Sequence, residues 1–104
     1  MVRLAFKMKL LAGNVSEYRK RHDEIWPELV NLIRQHGIHD YSIFLDEHTG
    51  DLFGVMFVAD PKQIELLPQH DLMKKWWVYM RDLMEVNADF SPMSTPLKEV
   101  FYLP

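Results

Sequence analysis

Residues 39–59 read HDYSIFLDEHTGDLFGVMFVA, and the division of that run decides the fold. His39, Tyr41, Ile43 and Leu45 alternate with Asp40, Ser42 and Phe44, the period of a half-buried strand. DEHTGD (46–51) is a turn with Gly50 near its end. LFGVMFVA (52–59) is a second strand, apolar on both faces. Two such runs around a short polar turn pair as a hairpin.

Upstream, Val2, Leu4, Phe6, Met8 and Leu10 alternate with Arg3, Ala5, Lys7 and Lys9, giving another strand. Asn14 followed by Glu17 has the form of an N-cap with a reciprocal acidic partner. The helix it opens carries the stripe Val15, Tyr18, His22, Ile25, Leu29, Leu32 and Ile33 and stops at Gly37. Pro27 falls inside that pattern. An interior proline costs about 3 kcal/mol, which predicts a kink or a restart near Trp26-Pro27.

Downstream, Asp60-Pro61 opens a helical region that Pro68 interrupts. A second main helix is expected over Asp71–Met84, with Leu72, Met73, Trp76, Trp77, Met80, Leu83 and Met84 as its stripe. EVNADFSPMSTP (85–96) has no period and is expected to be a long loop, and LKEVFYLP (97–104) a fourth strand. The order βαββαβ is the ferredoxin-like α+β arrangement, a four-stranded antiparallel sheet with two helices on one face. The other face of the third strand is apolar yet has no helix to cover it. An apolar face of that kind marks an interface or a ligand site, and the economical cover is a second copy, sheet against sheet, as in dimeric α/β-barrel assemblies.

Composition limits the alternatives. The 104 residues suffice for one domain (1–104) rather than two. With 48% hydrophobic and 26% charged residues, the chain is an ordinary soluble globular protein. A net charge of -3 and no block of like charge argue against a nucleic-acid partner. No run is long and apolar enough to span a bilayer. The start, MVRLAFKMKLLAGN, interrupts its apolar residues with charges, unlike a signal peptide. The absence of cysteine removes disulfides, thiolate metal sites and cysteine nucleophiles. A cytoplasmic location is the expectation.

His22 is the group that could do chemistry. A lone histidine on an apolar stripe is more often a core-edge residue than a catalyst. However, Tyr18 lies one turn before it, and imidazole titrates nearest neutrality. Trp76-Trp77 spans a wide sector of its helix, and one of the two is expected to fill core. Tryptophan also offers a flat apolar face on which a sugar ring can pack. Tyr41 is an ordinary strand tyrosine unless its strand turns it toward Tyr18 and His22. The remaining histidines match no metal spacing, and no phosphate loop or nucleophile elbow is present. The chemistry left is metal-free acid–base work in an aromatic pocket.

RHDEIWPEL (21–29), HDYSIFLD (39–46), KKWWVYM (74–80) and VFYLP (100–104) together resemble the L-rhamnose mutarotase family. The resemblance covers essentially the whole chain. It implies a ferredoxin-like homodimer that interconverts the α and β anomers of L-rhamnose in the cytoplasm without metal or organic cofactor. It also implies His22 as proton donor and Tyr18, Tyr41, Trp76 and Trp77 as sugar-binding residues. Two rival readings are a cofactor-free monooxygenase or isomerase of the same fold, and a non-catalytic module that senses a small ligand. Fold analogy alone does not choose among them.

Overall fold

The computed structural model describes residues 1–104. Strand β1 (Val2–Lys9) leads through two short helices, α1 (Val15–Asp23) and α2 (Pro27–Gln35), to the hairpin β2 (Ile38–Leu45) and β3 (Asp51–Val58). Helix α3 (Pro61–Ile64), a 3-10 turn over Leu67–Gln69 and helix α4 (Asp71–Met80) then precede β4 (Thr95–Leu97). The sheet order is β2-β3-β1-β4, antiparallel throughout, which is the ferredoxin-like topology.

Both helical connections are interrupted at a proline: Pro27 in the first, and in the second Pro68, in the 3-10 turn between α3 and α4. Pro27 restarts the first connection as the opening residue of α2. There its missing N–H costs nothing, because the first four amides of a helix have no partner within it. Pro61 opens α3, where the Asp60 side chain accepts from Lys62 N at 3.0 Å. The expected capping box at Asn14 is absent. Asn14 makes no side-chain cap bond, and its Nδ2 donates instead to the Leu11 carbonyl. Glu17 turns away to accept from Arg21. Gly37 ends the first connection at φ 80°, a left-handed conformation that costs glycine little.

The core lies between one sheet face and the helices. Met8, Leu52, Met56 and Val58 from the central strands meet Leu29, Leu32, Trp76 and Met80. Leu29 and Val58 are fully enclosed. The opposite face of β3 carries Phe53, Val55 and Phe57, half-buried, beside Phe44 of β2, which is 62% exposed. The apolar character of β3 on both sides is therefore real, and this chain covers only one of them.

Three expectations needed correction. Helix α4 ends at Met80 instead of Met84, although Leu83 and Met84 remain buried in the turn that follows. The 85–96 segment is less irregular than expected. Met84 bridges Leu10, Val86 bridges Pro92, and the Asn87 amide donates to Ser91 O at 2.8 Å. The last strand is three residues, Thr95–Leu97, paired with Ala5–Lys7. Its Pro96 is tolerable on an outer strand, where an amide donor is dispensable. The apolar run beyond it leaves the sheet, with Val100 at 89% and Phe101 at 78% exposure. An apolar run becomes a strand only where it can be paired and buried, and nothing in this chain buries that one.

Candidate active site

A cavity of about 1070 Å³ opens between α1, α4, β2 and the loop carrying Phe90 and Pro92. Tyr18, His22, Tyr41, Trp76 and Trp77 all line it. The five residues come from three separate elements. Helical spacing brings Tyr18 and His22 together on α1, where their rings lie 4.3 Å apart and tilted by 32°. The Trp76 ring then meets that of His22 at 5.5 Å between centroids, near perpendicular.

Behind this front rank stands a second aromatic layer. Trp26 meets Trp76 at 5.1 Å and Tyr79 at 5.6 Å, and Tyr79 meets Trp76 at 5.7 Å. Edge-to-face and tilted pairs at these separations are the favoured arrangements of aromatic rings. Trp26 thus backs the wall and does not itself line the cavity. Trp76 is only 6% exposed, so it fills core with most of its surface. Trp77 is half-buried and packs on the core from the cavity.

Arg21 holds the two helices of the site together. Its Nη1 donates to the Tyr79 carbonyl at 2.7 Å and to Asp82 Oδ1 at 2.9 Å, and its Nη2 to Asp82 Oδ2 at 3.3 Å. Its Nε donates to Glu17 at 3.1 Å, and its guanidinium lies 4.6 Å from the centre of the Tyr79 ring. The Asp82 hydrogen bond is the main reason that the Arg21 pKa rises and the Asp82 pKa falls. The Glu17–Arg21 spacing was visible in sequence; the partners 58 and 61 residues away were not.

His22 has a fixed orientation. Its Nδ1 lies 3.0 Å from the Tyr18 carbonyl, which can only accept, so Nδ1 carries the proton and Nε2 keeps its lone pair. Burial lowers the His22 pKa below its usual value; the Tyr18 carbonyl and nearby Asp23 oppose that shift less strongly. The resting ring is therefore neutral at pH 7. Burial drives the Tyr18 phenol well above its ordinary range. Tyr41 is raised in the same direction, first by burial and then by the neighbouring Tyr18 phenol. Tyr41 keeps 39% of its surface accessible, so it is the surroundings of the hydroxyl, rather than of the whole side chain, that cause this. Both phenols therefore stay protonated at neutral pH.

A family model described as L-rhamnose mutarotase matches residues 3–103. The chain belongs to the L-rhamnose mutarotase family. An L-rhamnose mutarotase of Jannaschia sp. (strain CCS1) is 52% identical over 104 residues, all of both chains. A crystal structure of an L-rhamnose mutarotase from Formosa agariphila superposes with a TM-score of 0.93 at 47% identity, again over the whole of both chains. An antibiotic biosynthesis monooxygenase shares the fold, with a TM-score of 0.61 at 12% identity over 96% of this chain and 99% of the other. That likeness concerns the fold alone.

Asp40 is a cavity residue that sequence reading passed over. It lines the cavity beside Tyr41 and has φ 49° within strand β2. The register explains it. His39 pairs with Phe57 and Ser42 with Val55, so Asp40 and Tyr41 together oppose Met56 alone. This is a β-bulge, which re-aims side chains and is common beside functional sites. It also breaks the simple alternation: Ile38 is the buried residue at the start of β2, not His39. No group of three or more His, Asp or Glu side chains converges to hold a metal ion.

Proposed function

We propose that the chain interconverts the α and β anomers of L-rhamnose, with His22 as the proton donor to the ring oxygen. The observation that carries this reading is the fixed His22 ring, with Nδ1 held by the Tyr18 carbonyl and Nε2 left for the cavity. Mutarotation opens the cyclic hemiacetal and recloses it on the other face. The anomeric O1 must lose a proton, and the ring O5 must gain one as its bond to C1 breaks. Both oxygens are bonded to C1, so one nitrogen can reach both in turn.

In the proposed step, Nε2 takes the O1 proton as C1=O1 forms and C1–O5 breaks. The imidazolium then gives that proton to O5, leaving a neutral open-chain aldehyde and a neutral histidine. Rotation about C1–C2 presents the other face of the aldehyde, and the same transfers in reverse close the other anomer. No proton is gained or lost overall, and no metal or organic cofactor enters. One placed acid–base group contributes about 10²–10⁴-fold, enough to matter for a reaction that already proceeds slowly in water.

The protonated Tyr18 and Tyr41 phenols donate to sugar oxygens, and Trp76 and Trp77 provide apolar surface for the C–H faces of the ring. Residues 1–104 act as one mutarotase domain in the cytoplasm; no helix is long and apolar enough to cross a membrane. The face that carries the exposed Phe44 and the half-buried Phe53, Val55 and Phe57 supports a homodimer, sheet against sheet.

Saturation-transfer NMR on L-rhamnose tests the reading. Added protein should accelerate exchange between the anomeric signals. Exchange that stays at its buffer rate rules the assignment out.

A further inference from the structure

The backbone of Asp40 is the least comfortable in the sheet. At φ 49° it is the one non-glycine residue of a strand in the left-handed region. That region is costly for residues with a Cβ, and Asp and Asn enter it more readily than most others. Strain of this kind persists where the surroundings over-determine it, and it collects at ligand sites. Here the bulge gives Asp40 and Tyr41 a single place opposite the inward Met56, and both residues line the cavity. The Asp40 carboxylate forms no ion pair, unlike Asp23, which lies 3.8 Å from Arg19, and Asp51, 3.8 Å from Lys9. Asp40 also lacks the local backbone bonds that Asp46 accepts from His48 N and Asp60 from Lys62 N. Asp40 is thus a strained, solvent-accessible acidic residue without a structural partner, placed on the lining of the cavity, and its acceptors are free for a ligand.

We propose that Asp40 is a substrate-binding residue whose two carboxylate oxygens accept hydrogen bonds from adjacent hydroxyls of the sugar. This rests on the mutarotase reading above. A carboxylate is suited to the task, since it has two acceptors side by side and charge-assisted bonds are stronger than neutral ones. Adjacent hydroxyls match that spacing. The protonated tyrosine phenols are neutral acceptors at best, so Asp40 supplies the charged acceptor that they lack. The contact is made to hydroxyls away from the reacting centre, so it holds ground state and transition state alike. Such uniform binding sets KM and leaves kcat unchanged.

Two substitutions separate this role from a structural one. Asp40→Gly removes the carboxylate and relieves the backbone, because glycine adopts positive φ freely. Asp40→Asn keeps the shape and much of the tolerance for φ 49° but loses the charge. L-rhamnose binding is measured by calorimetry, anomer exchange by saturation transfer, and melting temperature by circular dichroism. For Asp40→Gly the expected result is a melting temperature equal to or above that of the unsubstituted chain. Its Kd and KM for L-rhamnose should rise about 10–100-fold, the range for lost hydrogen bonds to a charged group, with kcat near its original value. Asp40→Asn should fall between the two. Unaltered binding in Asp40→Gly overturns the proposal, as does a lowered melting temperature, which would make Asp40 a structural residue. A fall in kcat at constant KM overturns it as well. If the unsubstituted chain binds L-rhamnose but leaves exchange at the buffer rate, the mutarotase reading fails while the binding role of Asp40 is still decided by the calorimetry. If it does not bind L-rhamnose, both fail.

Discussion

His22 Nδ1 lies 3.0 Å from the carbonyl of Tyr18, the residue one turn earlier in the same helix. That bond fixes which nitrogen of the ring serves the cavity, and it uses no side chain other than the histidine. Replacing Tyr18 would therefore leave the imidazole tautomer intact, whereas replacing His22 removes the only group proposed to move a proton. His22→Ala is expected to lower the acceleration of anomer exchange by about 10²–10⁴-fold while the circular dichroism spectrum and cooperative melt persist. A variant that no longer folds would show His22 to be a core residue first.

The pH dependence follows from the lowered His22 pKa. Catalysis begins with the neutral ring, so acceleration should be flat from pH 8 down to the ordinary histidine value of 6.5 and fall only below it. The same shift acts on stability. The unfolded chain binds a proton near pH 6.5, and the folded chain binds it only at lower pH. Between those two values the unfolded state holds more protons, so stability decreases as pH falls through that window. The penalty is absent above 6.5 and complete below the folded-state pKa. His22→Gln should flatten this part of the melting-temperature profile. A rate that instead rises on acidification would mean that the resting enzyme needs the imidazolium.

The tryptophan pair should divide by burial. Trp76, at 6% exposure, touches His22, Trp26 and Tyr79. Trp76→Ala should cost about 3–5 kcal/mol of stability, the usual range for emptying a large aromatic site. Trp77 is half-buried on the cavity wall. Trp77→Ala should raise the Kd for L-rhamnose with a much smaller loss of stability. Chemical denaturation and calorimetry on the two variants check the split. Equal destabilisation with unaltered binding in both would remove them from the sugar site.

How far the sequence revealed this arrangement depended on the range of the interactions. Period-two alternation located β1 and β2, because a sheet with one covered face imposes it on each strand locally, whereas β3 was legible as a run apolar on both faces after a polar turn. Tyr18 and His22 were legible for the same reason: helical spacing alone makes them neighbours. The aromatic blocks 74–80 and 21–29 pointed to the family. The bulge at Asp40 was hidden, because adding one residue changes which side chains face inward without any change in composition. The Arg21 clamp was only half visible, since Glu17 is four residues away and Asp82 is 61. The final strand was misplaced because LKEVFYLP ends in an apolar, β-prone run that nothing in the chain buries.

Arg21 ties α1, which carries Tyr18 and His22, to the end of α4, which carries Trp76 and Tyr79. Its guanidinium is mostly shielded, at 13% side-chain exposure, whereas Asp82 is 61% exposed. Solvent therefore screens the pair, and Arg21→Gln should cost about 1–2 kcal/mol. Asp82→Asn should cost less, because the Tyr79 carbonyl and Glu17 still accept from Arg21. A double-mutant cycle by urea denaturation should give a positive coupling between the two; strict additivity would show that the bidentate contact contributes nothing.

The uncovered sheet face predicts the assembly. Phe44 pairs with Phe53 across β2 and β3, and Phe53 with Lys7 across β3 and β1, so these side chains share the face away from the helices. Val55 and Phe57 continue it. An apolar surface of this extent is costly to leave in water, and a second copy can bury it. Light scattering should report twice the 12.4 kDa chain mass. Phe44→Glu places a charge at the most exposed of these positions and should shift the equilibrium toward the single chain, because an unpaired charge is expensive to bury. A chain that scatters as 12.4 kDa at high micromolar concentration would leave the face without its partner, and the same would follow if Phe44→Glu stayed dimeric with an unaltered dissociation constant.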